Sequence, residues 1–330
     1  MYIIKPEDFK SYWEEVAAEA SAFEPQVENR PWQLEDPSFE GEYIIDGKVP
    51  GRVEPPPVDP FAFRWDSHAI VTGLAIRNVS FRSADGQKVG GLLQYPRNGD
   101  CRRYAGIVHF TGYGGELMLD ADFVSAGYAV LNFSHRGMLL GSEGFDRYAP
   151  VPLLVRNIEN RRAYVYRSIL LDCLLALKVM RSLEVIDPQR MAVMGTSQGG
   201  GLSIIVGALD PGVRCLSADL PWLTDFQYQL GHEVEGPYQE LKEYLRRRPE
   251  QERAVLETLG YYDTLHFADL LTQPALISLG QKDTTCAPQS VRRLFERIPT
   301  LKLLLEIPEM GHQRSTIWRY LTARWFDFYL

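Results

Sequence analysis

The stretch Met191-Ala192-Val193-Met194-Gly195-Thr196-Ser197-Gln198-Gly199-Gly200 decides how the rest of the chain is read. An apolar, strand-like run ends in small residues, and Gly200-Gly201-Leu202-Ser203-Ile204-Ile205-Val206 can then begin a closely packed helix. Gly195-x-Ser197-x-Gly199 has the form of a strand–turn–helix bend that lifts a serine Oγ clear of a sheet. The same bend aims the backbone N–H of Gln198 at the place where an oxyanion would develop. A serine hydroxyl is a weak nucleophile at neutral pH. A base, and an acid to orient that base, must therefore come from elsewhere in the chain.

With a bend of this kind the chain order is serine, then acid, then histidine. Only His232, His266 and His312 follow Ser197. His232 and His266 lie in or beside segments of helical character. His312 follows the apolar run Leu301–Ile307 through Pro308-Glu309-Met310-Gly311, a short loop at a strand's carboxyl end, and is the expected base. Asp283, just past Ala275-Leu276-Ile277-Ser278-Leu279, is the expected acid. Asp219 and Asp225 are rivals, read instead as loop-fixing or pocket residues. Gly-rich Thr111-Gly112-Tyr113-Gly114-Gly115 follows another strand and can supply a second oxyanion donor. The Tyr113 N–H is the choice, and its ring could wall the pocket. His109, inside an apolar strand, reads as a satisfied structural histidine. Arg136 is expected to bond nearby carboxylates or carbonyls and pin the loops. Cys286 reads as an ordinary buried thiol. This chemistry requires no metal and no organic cofactor.

Working outward, strand-like and helical runs alternate from about residue 105 to the C-terminus, which predicts an α/β fold with a doubly wound, mainly parallel sheet. Ahead of it, Leu74–Phe81 and Lys88–Tyr95 flank an Asp85-Gly86 turn and read as a hairpin. A long helix is expected over about 164–183, and Asp187-Pro188 marks a turn before the elbow strand. The alternation breaks between Asp225 and Asp263, where helices over about 235–247 and 250–259 predict an excursion across the rim, at about 226–262. The first 73 residues form a separate section. Phe9–Phe23 is an amphipathic helix with Asp8 as N-cap. From about Glu24 to Pro60 prolines prevent regular structure, but Trp32, Phe39, Tyr43, Ile44 and Ile45 favour an ordered arm on the main body or a neighbouring subunit.

The chain has 330 residues, 45% of them hydrophobic and 12% aromatic, ample for a large core. A formal charge of −8 argues against nucleic acid as a partner. Four scattered cysteines with no CxxC spacing point to free thiols in a reducing compartment. With no secretory signal pattern and no run of about 18 apolar residues, a cytoplasmic protein without a membrane partner is expected.

The ordered set His109-Phe110-Thr111-Gly112-Tyr113, Arg136-Gly137, Tyr166-Arg167 with Leu171-Asp172, Gly195-Thr196-Ser197-Gln198-Gly199-Gly200, Ala218-Asp219-Leu220-Pro221, Gly236-Pro237-Tyr238, Tyr261-Tyr262-Asp263 and Gly311-His312 resembles the acetyl xylan esterase / cephalosporin C deacetylase group, carbohydrate esterase family 7. The resemblance covers Phe9–Phe23 and residues 74–330. It implies an α/β-hydrolase fold, deacetylation of small acetylated saccharides, a cytoplasmic location and a ring-like homo-hexamer. It assigns Ser197, Asp283 and His312 as the triad, and the N–H groups of Tyr113 and Gln198 as the oxyanion hole. The chain departs from the family pattern at Met138, where a glutamine is usual, at Gln313, where a glutamate is usual, and in a longer segment 24–73. Two other readings of the same residues are a hydrolase of another acyl, aminoacyl or peptide bond, and a catalytically silent binding protein.

Overall fold

The computed structural model describes residues 2–31, 74–97, 103–114, 117–137 and 151–330, so Met138, Cys101 and most of the arm lie outside the described residues. The strand that ends at the serine, β6 (Ile186–Thr196), lies within a nine-stranded sheet of order β1-β2-β3-β5-β4-β6-β7-β8-β9. The first three strands, β1 (Val27–Pro31), β2 (Leu74–Arg82) and β3 (Lys88–Pro96), run antiparallel, and β3 joins β5 (Ala129–Ser134) the same way. From β5 onward every pairing is parallel, through β4 (Tyr104–Phe110), β6, β7 (Cys215–Asp219), β8 (Ala275–Gly280) and β9 (Lys302–Ile307). This is the doubly wound sheet of an α/β-hydrolase.

The inner parallel strands β4, β5, β7 and β8 and the second half of β6 are buried on both faces because helices cover both, so they read as continuous apolar runs without alternation. On one face pack α1 (Phe9–Ala22), α3 (Val165–Ser182) and α4 (Gln198–Leu209), with Trp13, Tyr166 and Ile204 in the larger core. The opposite face carries α2 (Ala121–Ser125) and the C-terminal α10 (Thr316–Tyr329), with Phe123, Trp318 and Phe326 in a second core. Between β7 and β8 the chain forms α5 (Phe226–Gly231), α6 (Tyr238–Arg247), α7 (Glu252–Tyr262) and α8 (Thr264–Ala268). The remaining helix, α9 (Pro288–Arg297), connects β8 to β9. Among the described residues no helix is long and apolar enough to cross a membrane.

Three local expectations are corrected. Val27–Pro31, expected to lack regular structure, pairs with Phe81–Arg77 as an exposed edge strand, tied down by the Arg77 guanidinium on Asn29. Its proline stands at the strand's end, on an edge, where a missing N–H is tolerated. Asp187-Pro188 is not a turn before the elbow strand but lies inside β6. The pairing steps there from Ala105↔Asp187 to Gly106↔Met191, so that Pro188 bulges out of the ladder it cannot donate to. Asp8 precedes α1 but makes no side-chain cap. Its carboxylate is taken by the Tyr261 hydroxyl and by Arg161 at 3.2 Å.

Candidate active site

Ser197 occupies the junction of β6 and α4 with φ 57° and ψ −116°, a conformation that L-residues seldom adopt and that turns the side chain out of the sheet. The bend closes only because its neighbours are glycines. A Cβ on Gly195 would collide with the Gly199 backbone, and one on Gly199 with the Phe110 carbonyl. The strained residue is anchored by its own backbone. Its N–H donates to the Asp219 carbonyl at 2.8 Å, and its carbonyl accepts from Gly201 and Trp222 at 3.0 and 2.9 Å.

His312 and Asp283 arrive from the loops after β9 and β8. The Lys282 N–H donates to the Met310 carbonyl at 2.9 Å, which ties the two loops together. His312 Nε2 is 3.0 Å from Ser197 Oγ, and Nδ1 is 2.8 Å from Asp283 Oδ2. Asp283 is buried, and its other oxygen accepts the N–H groups of Thr285 and Cys286 at 2.8 and 2.7 Å. Those bonds keep the carboxylate aimed at the imidazole, so that Nδ1 donates to it and Nε2 faces the serine as an acceptor.

Around this line the loops supply dipoles. The backbone N–H groups of Tyr113 and Gln198 bond to no described acceptor, as expected for the first residue of a helix and a loop residue held open. The Tyr113 hydroxyl donates to Glu240 at 2.8 Å and accepts from the Leu154 N–H at 3.3 Å, while the ring packs edge-on to Trp222. The Gln198 side chain is fully buried and donates to His135 Nε2 and to the Tyr166 hydroxyl, both at 3.2 Å. His135 in turn donates from Nδ1 to the Arg136 carbonyl at 2.8 Å. Burial, together with the Arg136 charge, pushes its imidazole down to about 4, so it stays neutral.

Arg136 pins the loops as expected. It bonds Asp172 through Nε and Nη2 at 2.7 and 2.8 Å, and it reaches Asp85 in the hairpin turn. Asp219 and Asp225 fix loops. Asp219 accepts from Thr196 at 2.9 Å and from Ser278, and burial raises its carboxyl to about 6. Asp225 caps α5 and pairs with Arg293 at 2.7 Å. His232 is exposed at the end of α5, and His266 donates to the Gly260 carbonyl. Neither lines the pocket that holds Ser197.

Asp283, Cys286 and His312 are the described group whose ligand atoms, within 4.8 Å of one another, could gather a metal ion. The Cys286 thiol is buried and pushed well up by desolvation. Both imidazole nitrogens already bond Asp283 and Ser197. The hydrogen-bonded line therefore accounts for these side chains without a cation.

The serine opens into a pocket of about 200 Å³ bordered by Tyr113, Leu220 and Gln313 and also by His109, Trp318 and Arg319. Sequence reasoning did not place these last three there. His109 was expected to be a satisfied core residue, and its Nδ1 is indeed taken by Asp120. Trp318 and Arg319 stand on the C-terminal helix, and helical periodicity marks only one face of it as core. No local signal shows which end of a helix borders a cavity.

A family model described as acetyl xylan esterase matches residues 64–329. An acetyl esterase, Axe7A of Xylanibacter ruminicola, is 29% identical over 174 residues, 52% of this chain; the chain spans 38% of that relative's length. Two solved structures share the fold along the whole chain. The acetyl xylan esterase of Paenibacillus sp. R4 has a TM-score of 0.81 at 23% identity and is 97% covered. Acetyl xylan esterase 1 of Thermoanaerobacterium sp. JW/SL YS485 has a TM-score of 0.78 at 22% identity and is 96% covered. With four-fifths of its length matched by the family model and the serine bend at the centre of that match, the chain belongs to the acetyl xylan esterase family.

Proposed function

We propose that the protein is a serine carboxylesterase that removes acetyl groups from small acetylated saccharides. The observation that carries this reading is the continuous line Ser197 Oγ–His312 Nε2–Asp283 Oδ2, at 3.0 and 2.8 Å, mounted on a strained bend. His312 Nε2 accepts the Ser197 proton as Oγ attacks the acetyl carbonyl. The carbonyl oxygen becomes an oxyanion facing the N–H groups of Tyr113 and Gln198. His312 then hands its proton to the departing sugar hydroxyl, leaving an acetyl ester on Ser197. Water enters, loses a proton to Nε2 and attacks the same carbonyl; collapse returns the proton to Ser197 and frees acetate. Asp283 keeps the imidazole in the tautomer this needs and stabilises the imidazolium that forms.

Hydrolysis of p-nitrophenyl acetate and of acetylated xylo-oligosaccharides tests the proposal. Wild-type protein should cleave both, and Ser197→Ala neither; undiminished turnover by Ser197→Ala would sink it. Two further parts of the reading have their own support. Three buried free cysteines, Cys173, Cys215 and Cys286, fit a reducing, cytoplasmic setting. Exposed apolar residues on edge strand β9 and helix α10 (Leu303, Ile317, Tyr320, Phe328) suit a homo-oligomer contact. A homo-hexamer is the expected assembly, and light scattering measures it.

A further inference from the structure

The pocket is lined by a second histidine, His109, whose aspartate pair the reaction above does not use. His109 Nδ1 lies 2.9 and 3.0 Å from the two oxygens of Asp120. Asp120 also accepts from Asn132 and Arg319, both at 3.0 Å. Burial alone would raise the Asp120 carboxyl, but these partners outweigh it and hold it ionised. A carboxylate at that distance fixes the proton on Nδ1, so Nε2 presents a lone pair. Nε2 has no partner among the described residues and is not sealed from the pocket that His109 lines. Thr111, two residues on along the same extended stretch, shares that face. It is 3% exposed, and its hydroxyl has no partner either. Trp318 closes the wall from α10 and leaves its indole N–H unpaired.

Thr111 Oγ1 and Trp318 Nε1 are closed off from solvent, so His109 Nε2 is the unpaired acceptor on this wall that a ligand's own donor can reach. The wall's charge is net negative, because two carboxylates, Asp120 and Asp122, share the single Arg319 guanidinium. Such a wall suits a neutral group that donates a hydrogen bond and disfavours a carboxylate. From this we infer that His109, held by Asp120, forms a hydroxyl-recognising subsite that selects a polyhydroxylated substrate over a plain acetyl ester. The inference rests on the esterase reading and names the residues that would give it a saccharide preference.

The test is kcat/KM on two substrates, p-nitrophenyl acetate and an acetylated xylo-oligosaccharide, for wild type, His109→Phe and His109→Gln. One lost hydrogen bond predicts a fall of about tenfold for the saccharide with His109→Phe, mainly in KM. Hydrolysis of p-nitrophenyl acetate should stay within about twofold, as expected for one absent contact, and His109→Gln should recover part of the loss. A parallel fall on both substrates means a merely structural histidine and overturns the inference, as does no change on either. If His109→Phe does not fold, His109→Asn carries the same comparison: a saccharide-selective loss supports the subsite and equal kinetics overturn it. A wild-type enzyme that cleaves p-nitrophenyl acetate but no acetylated saccharide overturns the subsite while sparing the esterase chemistry. One that cleaves neither overturns both.

Discussion

Two histidine–aspartate pairs face one pocket, and they differ in what the outer nitrogen meets. At His312 the pair stands on two loops at the carboxyl ends of β8 and β9, and Nε2 meets a serine hydroxyl at 3.0 Å. At His109 the imidazole stands within β4, its aspartate has three side-chain donors, and Nε2 meets open pocket. The residue types and the Nδ1–carboxylate bond are the same, so each imidazole is oriented by its aspartate and presents Nε2 outward. What separates base from binding group is the third atom. Ser197 is carried to His312 by a bend whose backbone conformation costs energy, and no nucleophile is carried to His109.

The largest test of that contrast removes the third atom. Ser197→Ala should lower kcat on p-nitrophenyl acetate by about 10⁶, to the level set by binding and the oxyanion hole alone. Next, equal substitutions in the two carboxylates should give unequal results. Asp283→Asn should cost about 10⁴ in kcat, through the wrong tautomer of His312. On the same ester Asp120→Asn should cost less than about tenfold, because no proton moves at His109. Comparable losses in both variants would erase the distinction drawn here.

The ion pair behind the loops gives a comparison in stability instead of rate. Arg136→Ala leaves Asp172 fully buried without its bidentate partner. Breaking a buried pair in this way predicts a loss of about 3–5 kcal/mol, read from the urea midpoint.

The smallest effect concerns a buried imidazole that has no carboxylate partner, His135. His135 sits at about 4 when folded, against its ordinary 6.5, because burial disfavours its charge. The unfolded chain therefore binds a proton that the folded one refuses. This stabilisation is complete above pH 6.5 and is lost as pH falls from 6.5 towards 4, by roughly 3 kcal/mol in all. Asp219 and Asp263, both raised to about 6 by burial, act with the opposite sign between their ordinary value and 6. The difference between wild type and His135→Gln isolates the histidine. The variant should lose less stability on acidification, in urea titrations at pH 7 and pH 5.

Much of this was legible in the residues because it is local. Gly195-x-Ser197-x-Gly199 names its own geometry, since only glycines fit where the backbones of β6, α4 and β4 meet. Chain order and the carboxyl ends of apolar runs then isolate Asp283 and His312 from their four rivals, Asp219, Asp225, His232 and His266. Other details were not local. Nothing in Val27–Pro31 announces a strand, because its pairing energy comes from β2, about 50 residues away in sequence. His109 looked satisfied, and at Nδ1 it is. Whether its other nitrogen faces core or cavity depends on α10 at the far end of the chain.

By itself, then, the sequence determined the sheet's parallel character, the elbow and the three residues that meet there, because periodicity, glycine placement and strand ends are written in neighbouring residues. The tertiary structure decided the shape of the pocket, the second pair along its wall and the unpaired polar groups beside it. Those depend on which side chains from β4, β5 and α10 converge, and convergence across more than 200 residues leaves no mark on any one segment.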